Sequence, residues 1–196
     1  MKINKFNRLI AKISTDLYYK PICKKIGDKS IIFFPLSIDN PSGISLGNNV
    51  FLCEGAWLIG GQDLSIGDNT TVGHFSHIVC SERVTIGNNV LIADKVFISD
   101  CTHGYKDVNL PIYKQPVKDL RPVIIGDDSW IGENVCIIGC SIGKHCVIGA
   151  NSVVKDDIPD FSVAVGNPAK VVKKYNRETG KWENIADICI DTSEEN

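Results

Sequence analysis

"ISLGNNV" (44–50), "LSIGDNT" (64–70) and "VTIGNNV" (84–90) recur at twenty-residue intervals; two further copies, "VIIGDDS" (123–129) and "CSIGKHC" (140–146), follow a longer gap. Within each unit an aliphatic residue returns at every sixth position: Leu46, Leu52, Leu58; then Ile66, Val72, Ile78; then Ile86, Ile92, Ile98. The beat resumes with Ile125, Ile131, Ile137 and with Ile142, Ile148, Val154. A step of six is neither the 3.6 of a helix nor the 2 of a long amphipathic strand. It suits a short strand and a sharp turn, three of which close a triangular coil of about eighteen residues. The aliphatics then stack inside a prism whose strands pair with the coils above and below.

The turns carry their own signature. Gly47, Gly67, Gly87, Gly126, Gly132, Gly143 and Gly149 follow the inward aliphatics, where the backbone needs freedom or has no room for a Cβ. Asn or Asp follows Gly47, Gly67, Gly87 and Gly126, as suits left-handed or Asx-type turns. Extra residues enter after Leu58, Ile78 and Ile98, always on the third side of a coil, and that side is one residue short after Ile137. The beat lapses longest between residues 99 and 122, so one long loop leaves the variable corner. His103 stands near its start. A rigid scaffold with one exceptional loop is a common way to hold a functional site.

Composition narrows the function classes. The 196 residues hold 43% hydrophobic and 22% charged side chains with a formal net charge of −2, ordinary for a globular domain and without the basic excess that would suggest nucleic acid. Apolar runs such as "SIIFFPLSI" are too short to span a bilayer. "MKINKFNRLIAKISTDLYYK" mixes charge among its apolar residues, unlike a signal peptide. The eight cysteines show no CxxC pair, which points to reduced, buried thiols in a cytoplasmic protein. Residues 1–43 read as a helix and lead-in: Phe6, Leu9, Ile10, Ile13 and Leu17 keep helical spacing and the helix ends before Pro21. It packs on the first coil or another subunit; the minority alternative sets it on a membrane surface. Residues 44–174 form the solenoid with its insertion at 99–122. Residues 175–196 form a hairpin with an ETGK turn that caps the open end, then the polar tail "DTSEEN".

The stretches "KVFISDCTHG" (95–104), "RPVIIGDDSWIGENV" (121–135), "VIGANSVVKDDIP" (147–159) and "VGNPAKVVKKYN" (165–176), with the repeats, resemble the hexapeptide-repeat acyltransferases. The likeness is closest to sugar O-acetyltransferases such as the galactoside and maltose enzymes, in the branch that modifies lipopolysaccharide O-antigen or capsule sugars. It implies a left-handed parallel β-helix, acetyl-CoA as co-substrate without a metal, a glycan acceptor, and a homotrimer with sites between subunits. It also implies that His103 is the catalytic base, and an imidazole suits removal of a hydroxyl proton during attack on a thioester. Asp100 either orients that imidazole or stabilises a turn. Trp57, His77 and Phe97 form an outward column that lines the acceptor site or a subunit contact, while His74 and His145 are solvent groups.

The same resemblance places Trp130 near the thioester and pantetheine, and makes Gly132 and Ala150 small so that the pantetheine arm approaches the backbone. Lys170 and Lys173 meet the nucleotide phosphates or form a solvated basic face, and Lys155 is a further candidate ligand. Three departures stand out. "IIGCSIG" lacks the proline and one residue of the relatives' "ILPGVTIG"; Lys155-Asp156 replaces Thr-Lys; and Ser81 replaces an acceptor-gripping carboxylate of the galactoside enzyme. Alternative functions are an amino-sugar N-acetyltransferase, for which the 43 leading residues leave no nucleotide-sugar domain, and a non-catalytic assembly solenoid. A zinc carbonic anhydrase would need three converging histidines, which His74, His77 and His103 are poorly spaced to supply.

Overall fold

The computed structural model describes residues 4–185, so Cys189 and the tail "DTSEEN" lie outside the described residues. Three parallel sheets form the sides of a solenoid. The first sheet holds six strands, from Lys25–Ile26 through Arg83–Ile86 to Ser141–Ile142. The third sheet also holds six, from Ser37–Asp39 through Phe97–Ser99 to Val153–Val154. The second begins at Ile31–Ile32, runs through Trp130–Ile131, and is extended past the last coil by Ser162–Gly166, Ala169–Asn176 and Lys181–Asn184. Every aliphatic of the six-residue beat is buried, and they join in one continuous cluster. Each such Leu or Ile contributes about 1.5–3 kcal/mol on leaving water.

The turns separate two roles that the sequence pattern left together. Positive φ belongs to Asn49, Asn69, Asn89 and Asp128, at 55°, 57°, 56° and 61°. The glycine two residues before each of them has no positive φ. Those glycines are small because coils pack directly: a Cβ on Gly67 would lie 2.6 Å from the carbonyl carbon of Gly87. The side chains stack as a ladder. The Asn49 amide donates to Asn69 Oδ1 at 3.0 Å, Asn69 to Asn89 at 3.2 Å, and Asn89 to Asp128 at 2.9 Å.

Two boundaries differ from expectation. The solenoid starts one coil earlier, at Lys25, because Ile26, Ile32 and Ile38 already keep the six-residue step. Helix α1 (Lys5–Ser14) continues through a π-turn, Thr15–Tyr19, to Ile22, so it does not stop before Pro21. The wider turn, with the Lys20 N–H bonded to the Thr15 carbonyl, gives the proline ring room inside a helix. At the far end, the Asn176 side chain accepts from the backbone N–H of Glu178 and Thr179, setting the turn of the expected hairpin. That hairpin continues the second sheet, and its Ala169 packs on the core.

Helix α1 also finishes the exposed first coil. Its residue Ala11 and the following Thr15 are buried, with Ala11 packed among Ile31 and Phe33. The Thr15 hydroxyl accepts from the Ile32 N–H at 2.8 Å, a donor at the edge of the second sheet.

Candidate active site

The interruption leaves the prism after Phe97–Ser99 and returns at Val123–Ile125. Its neck is closed by the Leu120 N–H donating to the Asp100 carbonyl at 2.7 Å. Beyond the neck, Cys101–His103 pairs antiparallel with Val117–Asp119, which puts His103 opposite Val117 at the outer end of a small hairpin. Buried Gln115 braces the loop: its Nε2 donates to the Asp107 and Leu110 carbonyls, and its Oε1 accepts from the Asp107 N–H. Ser81 Oγ, from the coil below, donates to Asp119 at 2.5 Å and ties the returning strand to the scaffold.

His103 is exposed, and among the described residues its ring makes no hydrogen bond. It lines a cavity of about 350 Å³ with Tyr105, Lys106, Gln115 and Val117. Asp100 does not meet it there. The buried Asp100 carboxylate accepts from three consecutive backbone donors, Ser81 N–H at 2.6 Å, Glu82 N–H at 2.8 Å and Arg83 N–H at 2.7 Å. Both oxygens are thus engaged by the turn beneath, which is the turn-stabilising role and corrects the expectation that Asp100 orients the imidazole.

The outward column on the third sheet forms as its spacing predicts, with Trp57, His77 and Phe97 in register. The Trp57 and His77 rings stack, with centroids 4.3 Å apart and planes 12° apart, and Phe97 meets His77 edge-on. Trp57 Nε1 donates to Asp39 at 2.7 Å, a partner that sequence reasoning missed along with the first coil that carries it. His77 Nε2 is buried with no hydrogen-bond partner among the described residues, and burial lowers the ring's pKa against the smaller opposing pull of Asp39. The other two histidines are less free than expected of solvent groups: His74 Nδ1 lies 2.9 Å from Asp94, and His145 stacks on Phe161. Among the described residues no group of His, Cys, Asp and Glu is arranged to hold a metal ion. Burial pushes the thiols of Cys23, Cys53 and Cys140 up to about 11. Such thiols are poor nucleophiles at neutral pH.

Residues 122–171 match the family model "Hexapeptide repeat of succinyl-transferase". WbbJ of Escherichia coli (strain K12), provisionally named a lipopolysaccharide biosynthesis O-acetyl transferase, is 42% identical over 162 residues, covering 78% of this chain and 83% of WbbJ. The chain belongs to the hexapeptide-repeat acetyltransferases. The galactoside O-acetyltransferase of the same bacterium is 36% identical to this acetyltransferase over 150 residues, 76% of this chain and 72% of that enzyme. Among solved structures, AntD, an N-acyltransferase from Bacillus cereus, superposes with a TM-score of 0.72 at 22% identity, covering 92% of this chain and 95% of its own. That likeness shows the same β-solenoid fold.

On the acetyltransferase, the residues expected to meet coenzyme A lie away from the hairpin. Exposed Trp130 is followed across the second sheet by Val147, Val163 and Lys173 in register. Three inter-strand steps set Trp130 and Lys173 about 14 Å apart along one face. Gly132 and Ala150 adjoin at the next corner, and the small size of Gly132 also has an internal cause. Gly132 is buried, and its Cβ would stand 2.7 Å from both the Ala150 nitrogen and the Ile148 oxygen. Ala150 itself is exposed. Lys155 and Lys170 are exposed near the end of the prism, with Lys170 3.7 Å from Asp156. None of these six residues lines the His103 cavity. The two groups of candidate residues therefore occupy separate places on one chain.

Proposed function

We propose that this acetyltransferase moves the acetyl group of acetyl-CoA to a hydroxyl of a surface-polysaccharide sugar or its precursor, with His103 as general base. The observation that carries the reading is the exposed His103 ring, without a hydrogen bond among the described residues, on a braced hairpin beside a cavity of about 350 Å³. The imidazole takes the hydroxyl proton as the sugar oxygen bonds to the thioester carbon. The carbon–sulfur bond then breaks, and the proton passes to the departing thiolate. Both substrates held together need no acyl-enzyme. Oxygen rather than nitrogen as acceptor rests on WbbJ and the galactoside enzyme, both named O-acetyltransferases. Acetyl-CoA as donor and the set of unpaired thiols fit a cytoplasmic site of action.

The two groups of residues would combine as half-sites between neighbouring subunits of a homotrimer, the hairpin of one facing the Trp130–Lys173 face of the next. Exposed Tyr105, Val108, Ile112 and Tyr113 on the loop supply apolar surface for such a contact. The Trp57–His77 column is a candidate wall for the acceptor. The deciding experiment compares native protein with His103→Ala. Turnover should fall by about 10²–10⁴-fold, while coenzyme A binding by calorimetry stays within a factor of two or so. Near-native turnover would remove His103 from the mechanism. Mild alkali releases an acetyl ester and leaves an amide intact, so the product separates O- from N-transfer.

A further inference from the structure

Helix α1 has its large apolar side turned outward. Ala11, with Thr15 four residues on, faces the solenoid, and both are buried. Phe6, Leu9, Ile10, Ile13 and Leu17 follow helical spacing on the opposite side and are exposed, Phe6 to 65%, Leu9 to 58% and Leu17 to 76%. A surface helix of a globular domain ordinarily does the reverse. Lys5, Arg8 and Lys12 form a third stripe along one flank. Lys12 is paired with Asp16, whereas Lys5 and Arg8 have no ion pair among the described residues. Residues 4–25 contain six Lys or Arg and only Asp16 as an acid, in a chain of net charge −2.

We propose that this face lies on an anionic bilayer surface, the apolar row entering the headgroup boundary and Lys5 and Arg8 meeting lipid phosphates. Charge chooses the occupant. The helix of a second copy would set basic stripe against basic stripe, whereas an anionic leaflet supplies the opposite sign. Among the described residues no helix is long and apolar enough to cross a membrane, so the contact is peripheral. The proposal does not depend on the transfer chemistry.

The test is co-sedimentation of the full chain with vesicles of phosphatidylcholine alone or with one-third phosphatidylglycerol, at low and high salt. The protein should pellet with the anionic vesicles, about tenfold less at high salt. Leu9→Asp and Leu17→Asp should each weaken the partition about tenfold or more, with circular dichroism unchanged because both side chains are already exposed. Should either variant misfold, the double variant Lys5→Glu/Arg8→Glu gives the same readout without touching the apolar row. Failure to pellet with either vesicle overturns the proposal, as does equal binding to both compositions or full binding by the variants. A change in assembled mass for Leu17→Asp without vesicles also overturns it, by showing that copies of the chain cover this face.

Discussion

The backbone N–H groups of Ser81, Glu82 and Arg83 converge on the single buried carboxylate of Asp100, and through it the start of the loop is fastened to the coil beneath. Charge-assisted hydrogen bonds of this kind are the strong ones, and stranding buried donors is costly. Asp100→Ala should therefore lose about 3 kcal/mol, roughly 6–12 °C in Tm for a chain of this size. Asp100→Asn, which keeps one acceptor oxygen, should lose less. Scanning calorimetry reads both, and an unchanged Tm for the alanine variant would refute the fastening role. The distinction from His103 is directional. Asp100 points back to the coil below, and three residues later the chain has become an outward hairpin. Closeness in sequence thus did not translate into a shared site.

At the scale of a coil, strand and corner divide the work. Inward aliphatics fix the sides, and αL residues of the Asn ladder turn the chain while bonding to the coils above and below. Alanine at φ 57° is strained by about 1–2 kcal/mol, whereas glycine adopts that conformation readily. Asn69→Ala should therefore be clearly less stable than Asn69→Gly, and both less stable than native, since each loses the bonds to Asn49 and Asn89. Urea unfolding midpoints test this order; equal midpoints for the two variants would deny the backbone part. The same division explains what was legible in the sequence. The interior column repeats at a fixed step, so the solenoid and the place of its interruption could be read directly, and with them His103. The first coil was hidden because "KSIIFFPL" breaks the corner pattern with Phe33, Phe34 and Pro35, although Ile26-Gly27-Asp28 was there to be seen. Contacts made across coils, such as the Trp57 side chain with Asp39 or the tight backbone approach of Ala150 to Gly132, depend on stacking that no local pattern displays.

For the molecule as a whole, the separation of the His103 cavity from the Trp130–Lys173 face makes assembly part of the proposed chemistry. Sedimentation velocity should return three-chain particles. Val108→Asp or Tyr113→Asp, on the exposed loop, should shift them towards single chains and reduce turnover in parallel; a native protein that is active as a single chain would defeat the shared-site arrangement. Stacked strands pair residues twenty positions apart below the loop, as Leu64 with Val84, yet Val84 pairs in the same manner with Val123, thirty-nine positions away. The strand pairing of the column thus closes over the excursion as though it were absent, with the Leu120–Asp100 neck and the Ser81–Asp119 bond joining the two. The excursion behaves as a cassette. Its length can vary without disturbing the register of the scaffold, so loops of different size around His103 can be mounted on one column.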